Sequence, residues 1–158
     1  MTGVLMVVIP HVLVGIAIAT KTGNPALALP LAFLSHFVLD LLPHWNPHIY
    51  TEIKKFGHLQ PRTVSIIVLD SAIALLLGLF FASRHLPDTA MALTILLGAF
   101  FAILPDLLEA PYYFLRTRHP LMIKVVEFEH SLQGSAPFVP GVLIQVVIAA
   151  AALWWILV

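Results

Sequence analysis

Read for hydropathy alone, the chain alternates long apolar runs with short breaks rich in Pro, Gly, Asn and charge. Five runs approach the roughly 20 residues that a helix needs to cross a bilayer. They cover 2–20, 26–43, 63–83, 89–108 and 138–158. The breaks are Lys21-Thr22-Gly23-Asn24-Pro25, Gln60-Pro61-Arg62, Pro87-Asp88 and Ser135-Ala136-Pro137. The pattern predicts an all-α, polytopic membrane protein: a single integral domain over 1–158 with about five transmembrane helices. Residues 109–134 mix polar and apolar positions, and 122–132 is read as a helix lying in the cytoplasmic interface. Ala17-Ile18-Ala19 resembles a signal-peptide cleavage site. Residues 1–10 carry no Lys or Arg, however, so the first run is read as a retained span.

Composition narrows the class. Of the 158 residues, 60% are hydrophobic and 10% charged, with a mean hydropathy of +0.99. A soluble domain carries roughly 25% charged residues, which this chain lacks for covering a globule. A soluble enzyme, a nucleic-acid binder and a disordered linker are excluded on that ground. The net charge of zero implies no polyanionic partner. With no cysteine, disulfides and thiolate metal sites are also excluded.

Charge in the loops sets an orientation. With five spans, the N-terminus, the 44–62 loop and the 109–137 segment share one side. That side holds Lys54, Lys55, Arg62, Arg116, Arg118 and Lys124, against Lys21 and Arg84 on the other. The positive-inside rule then places the N-terminus in the cytoplasm and Val158 outside, in an inner (plasma) membrane.

The ionisable residues inside the apolar runs are the informative ones. His11 lies about 14 Å into the first span and Asp70 about 12 Å into the third, at 1.5 Å per residue. His36 lies at a similar depth in the second, with Asp40 nearer the surface, and Asp106 and Glu109 close the fourth on the cytoplasmic side. Each central Asp costs about 2.5–3.5 kcal/mol to insert, so these groups must face inward and find partners. Four helices with ionisable groups in one half of the membrane suggest a single pocket.

The spacing adds chemistry. In Ser35-His36-Phe37-Val38-Leu39-Asp40-Leu41-Leu42-Pro43-His44, His36, Asp40 and His44 stand at i, i+4, i+8 on one stripe, where imidazole and carboxylate can share a metal ion. The competing reading is a polar stripe that closes a helix–helix contact. Asp106 and Glu109 are i, i+3 and can face one point; otherwise they are a solvated helix end. His11 follows Pro10, with Gly15 one turn on, where a neighbouring helix can approach closely. Asp70 is read equally as a ligand or as a partner that orients one. In Glu127-Phe128-Glu129-His130-Ser131-Leu132-Gln133, His130 is the leading candidate to fold over the site mouth. His48, His58, His85 and His119 are read as solvated loop residues. Leu42-Pro43-His44 and Leu104-Pro105-Asp106 occupy matching places, as if two related hairpins were followed by a fifth helix. Phosphate-binding Gly loops, GxSxG and HExxH are absent.

Pro10-His11-Val12-Leu13-Val14-Gly15, the run from Ser35 to Trp45, Leu104-Pro105-Asp106 and His130-Ser131 together resemble the predicted inner-membrane metal-dependent hydrolases. That group includes the LexA-binding, inner-membrane-associated hydrolases. The family shows an early His, a Leu-Pro-Asp with a second acidic residue after it, and a later His-Arg…Thr-His-Ser segment. His11 and Asp106 fit the first two, with Glu109 one place later than usual. Of the third only His130-Ser131 remains, with Glu129 in place of Thr. The resemblance implies a metal-dependent hydrolase without naming its substrate.

The leading expectation is therefore a divalent-metal site, Zn or Mn, in the cytoplasmic half. Its ligands would come from His11, His36, Asp40, His44, Asp70 and Asp106. Asp40 or Glu109 would act as general base and His130 as a further acid/base. The partner is membrane lipid, and the substrate a lipid-like ester or phosphoester. A His/Asp relay moving protons or metal ions is the second expectation, and a membrane scaffold with polar clamps the third.

Overall fold

The computed structural model describes residues 7–47 and 49–158. The first part of the expected first span, and His48, lie outside the described residues. Among those described, the chain forms seven helices and no strand: α1 (Val8–Thr22), α2 (Pro25–Asp40), α3 (Ile49–Phe56), α4 (Pro61–Ser83), α5 (Thr89–Phe114), α6 (Pro120–Leu132) and α7 (Phe138–Leu157).

Local chemistry explains the boundaries. Pro sits in the first turn of α2, α4 and α6, where its missing N–H costs nothing. Asn24 caps α2 by accepting from the Ala26 N–H at 3.0 Å, and Asp88 caps α5 by accepting from Met91 at 3.0 Å. Gly23, at φ 59°, ends α1 in the left-handed conformation.

Three helices, α4, α5 and α7, are long and apolar enough to cross a membrane. α1 and α2 are apolar but shorter, at 15 and 16 residues, or about 22–24 Å each. The fold is inside-out by the standards of a soluble protein. Leu75, Leu76, Phe80, Leu143, Val147 and Trp154 are exposed, while small and polar residues are buried. Exposed apolar surface this continuous suits lipid, not water.

Three elements depart from the sequence expectations. α2 ends at Asp40, so His44 leaves the helical stripe and is held in extended chain. There the Ala136 N–H donates to the His44 carbonyl at 2.9 Å. α5 runs to Phe114, through both Pro105 and Pro111. The 44–62 loop contains the short helix α3. A helix is present over the expected 122–132, as α6, and it packs with α3 and the end of α5 through Ile49, Ile53, Tyr112, Tyr113 and Val126.

α1 stands at the centre, packed on α2, α4, α5 and α7. Its contact with α5 is backbone to backbone. A Cβ on Gly15 would lie 2.5 Å from the Gly98 carbonyl oxygen, and a Cβ on Gly98 would lie 2.8 Å from the Ala19 Cβ. The α1 stripe His11, Gly15, Ala19 meets the antiparallel α5 stripe Gly98, Ala102, Asp106. α2 repeats the design with Ala28, Ala32, His36 and Asp40, all buried. α4 does so with Asp70, Ala74, Gly78 and Ala82. Small residues bring the axes together in one half, and polar side chains occupy the same four stripes in the other.

Asp70 closes the start of α1. Its carboxylate accepts from the Val8 N–H at 2.5 Å and the Ile9 N–H at 3.4 Å. The third residue of the helix, Pro10, has no N–H to satisfy.

Substitutions along these stripes should separate close contact from open space. Gly15→Ala and Gly98→Val force α1 and α5 apart and cost at least about 1–3 kcal/mol. Gly78→Ala, whose new methyl would find its nearest neighbour at 3.8 Å, is neutral or stabilising by up to about 1 kcal/mol. Asp70→Ala removes a cap and costs about 0.5–2 kcal/mol. Thermal melting of the four variants in detergent checks both the order and the contrast.

Candidate metal centre

Where the four stripes turn polar, acidic and imidazole side chains gather out of contact with solvent. His11, His36, Asp40 and Glu109 are at most 2% exposed, and Asp106 and Glu129 are buried. His11 and His36 stack with ring centroids 4.3 Å apart. His11 Nε2 stands 3.4 Å from Asp40 Oδ1, and His36 Nε2 stands 3.4 Å from Asp40 Oδ2. His36 Nε2 is also 3.8 Å from Asp106 Oδ1 and 3.9 Å from Glu129 Oε2.

These separations are informative. A charge-assisted hydrogen bond between imidazolium and carboxylate closes to about 2.7–2.9 Å. Two ligands each about 2.0–2.1 Å from one tetrahedral ion stand about 3.4 Å apart. The two contacts of Asp40 have that spacing, and those of His36 with Asp106 and Glu129 are a few tenths of an ångström wider. The donors fall into two overlapping groups able to hold an ion, His11–His36–Asp106 and His36–Asp40–Glu129.

The tautomer of His36 is fixed by its other nitrogen. Nδ1 stands 2.9 Å from the Ala102 carbonyl oxygen, which only accepts, so Nδ1 carries the proton. Nε2 then presents a lone pair to the cluster, in the arrangement usual for a metal-binding imidazole. His36 is common to both groups, and its one inward nitrogen can serve only one ion at a time. His44 is oriented the same way, with Nδ1 donating to the Leu42 carbonyl at 2.6 Å. Its buried Nε2 has no hydrogen-bond partner. It belongs to neither group, although it lies within electrostatic reach of Asp40 and His36, and burial lowers its pKa.

Both nitrogens of His11, His36 Nε2, Asp40 Oδ1, both Asp106 oxygens, Glu109 Oε1 and Glu129 Oε2 are also buried without hydrogen-bond partners. Such groups normally cost several kcal/mol between them unless something compensates. All are lone-pair donors, or become so on losing a proton, and they share one small region. A cation satisfies such a set; further hydrogen-bond acceptors do not. Burial pushes the Glu129 carboxyl up to about 7, against the pull of His36.

The structure brings together His11, His36, Asp40 and Asp106 of the residues singled out by sequence. It sets Glu109 beside them, within electrostatic reach of Glu129 and Asp106. Asp70 lies outside both groups and caps α1 instead. His130 also lies outside them: it stacks on Tyr50 with centroids 4.4 Å apart, its pKa lowered first by burial and then by Lys54. Its neighbour Glu129 takes the inward position. The signal for Glu129 was present in the helical period, since Met122, Val126, Glu129 and Gln133 form one face of α6, with Val126 and Glu129 fully buried on it.

The site therefore comprises two imidazoles and three carboxylates from α1, α2, α5 and α6, able to hold a metal ion. No family model, curated protein or solved structure matches the chain, so this donor set rests on its own geometry.

Proposed function

We propose that the protein is a membrane-embedded, metal-dependent hydrolase. It would work near the cytoplasmic surface of the inner membrane on a lipid-like ester or phosphoester. The observation that carries the reading is the convergence of unpartnered, buried donors from four helices at or near coordination-shell spacing. His11, His36, Asp40, Asp106 and Glu129 would hold the ion, and mixed imidazole and carboxylate donors favour Zn²⁺ or Mn²⁺. When bound, such an ion supplies Lewis acidity and, for zinc, lowers the pKa of water toward about 7.

The chain's own residues then have separate tasks. His36, with Nδ1 tied to the α5 backbone, keeps its Nε2 fixed toward the centre. Asp40 spans His11 and His36 with its two oxygens. Glu109, buried beside the donor set with one free oxygen and absent from both groups, is placed to take a proton from water as general base. Asp70 positions α1, and through it His11. The burial of all five donors keeps bulk water out.

In this reading α1 and α2 form a short hairpin that crosses with α4, α5 and α7, giving five spans. The six-to-two excess of Lys and Arg puts α3, α6 and the donor set on the cytoplasmic side. A relay across the whole membrane would need buried polar groups in the other half as well. There Thr94 donates to its own helix, at the Ala90 carbonyl.

Two outcomes are expected. In metal titrations of the purified protein, His36→Ala and Asp40→Ala weaken binding by more than the 10–100-fold typical of losing an orienting partner. Asp70→Ala retains the metal. Glu109→Gln retains it too and loses about 10²–10⁴-fold in turnover, read as fatty acid or phosphate released from mixed phospholipid vesicles. Unchanged metal content in all the variants, with none bound to the parent protein, refutes the assignment. Separately, a C-terminal alkaline phosphatase fusion is active and a C-terminal fluorescent protein dark; the reverse result overturns the orientation.

A further inference from the structure

One wall of the metal centre is also the floor of a groove. A cavity of about 220 Å³ runs between α1, α4 and α5, lined by Val8, Val12, Ala74, Gly78, Leu96 and Ala99, among others, with Asp106 and Ser71 at one end. Apart from that end, its lining is apolar. It extends about 10 Å along α4 from Ser71 to Gly78 and about 15 Å along α5 from Asp106 to Leu96. Leu75, Phe100 and Leu107 at its rim are 62%, 45% and 44% exposed, so it opens sideways onto the surface that faces lipid. Asp106 is buried, has no hydrogen-bond partner on either oxygen, lines the groove and stands 3.8 Å from His36 Nε2.

We propose that this groove holds the hydrocarbon chain of a single-chain segment of the substrate, an amphiphile entering sideways from the membrane. Its polar linkage would lie at Asp106 and its chain terminus at Gly78 and Leu96. The assignment rests on the hydrolase reading for the role of the linkage, and on the groove's own geometry for the chain. Continuity between an apolar trough and an unpartnered acid is what an amphiphile matches: methylenes lie along Val12, Ala74 and Ala99, and the head meets the donor set. A plain hydrocarbon would leave the acidic end unmatched. Gly78 becomes a length-determining residue. A Cβ there would touch only the Ala99 Cβ at 3.8 Å and Leu96 Cδ2 at 4.0 Å, so a larger side chain fills the trough without driving helices apart.

The test uses the full chain in dioleoylphosphatidylcholine nanodiscs, loaded with zinc and photolabelled with dodecyl phosphate bearing a diazirine at its chain end. Peptides are mapped by mass spectrometry, and metal content is measured on the same samples. Labelling is expected on the segments around Gly78 and Leu96, with dodecyl phosphate competing better than dodecane. Gly78→Leu, by displacing about two methylenes, lowers that labelling about tenfold at unchanged metal content. Leu96→Ala, which deepens the blind end, shifts preference toward a longer chain, a gain that misfolding does not produce. Labels spread evenly over the lipid-facing sides of α4, α5 and α7 overturn the groove whatever the metal content, and equal competition by dodecane overturns it in the zinc-loaded protein. Labelling at Gly78 and Leu96 without bound zinc upholds the groove and removes the metal reading alone.

Discussion

The contact between α1 and α5 at Gly15 and Gly98 sets the rest of the molecule. With no Cβ on either residue the two backbones touch, and one turn beyond Gly15 and two turns beyond Gly98 the side chains of His11 and Asp106 are brought to the same place. A methyl group at either glycine would separate the helices and with them the donors. In lipid, where apolar packing between helices gains nothing from expelling water, close approach through small residues is the main source of helix adhesion. Folding and assembly of the site are therefore one event.

The second consequence is electrostatic. Packing that tight leaves Asp40, Asp106, Glu109 and Glu129 buried, with few N–H groups to spare. Asp70 shows the alternative, since the open start of α1 provides it with backbone donors. The other four carboxylates have no comparable supply, which is why a cation is the economical solution. On α1, α2 and α5 a single helix face carries small residues at one end and candidate ion donors at the other.

Much of this was legible in the sequence. Apolar runs gave the helices, and ionisable residues within them pointed to His11, His36, Asp40 and Asp106, because a charged group in lipid must be paired, hydrogen-bonded or bound to an ion. The part that was not legible depends on contacts between distant segments. Asp70 has the sequence context of a ligand but is claimed by another helix's N-terminus. His44 continues the stripe in the sequence, yet the helix ends at Asp40 and tertiary pairing with residues 135–136 fixes it instead. Glu129 and His130 are adjacent, and only the docking of α6 through Val126 decides which of them turns inward. α3 is short and mixed in composition, so its apolar face has meaning only against Tyr112 and Tyr113.

The most direct test of the metal centre is X-ray absorption at the zinc edge on the purified, zinc-loaded protein. The account predicts a first shell of nitrogen and oxygen only, at about 2.0–2.1 Å, with the outer-shell scattering of two imidazoles. A first shell of oxygen without imidazole scattering would contradict it, because His11 and His36 would then not be ligands.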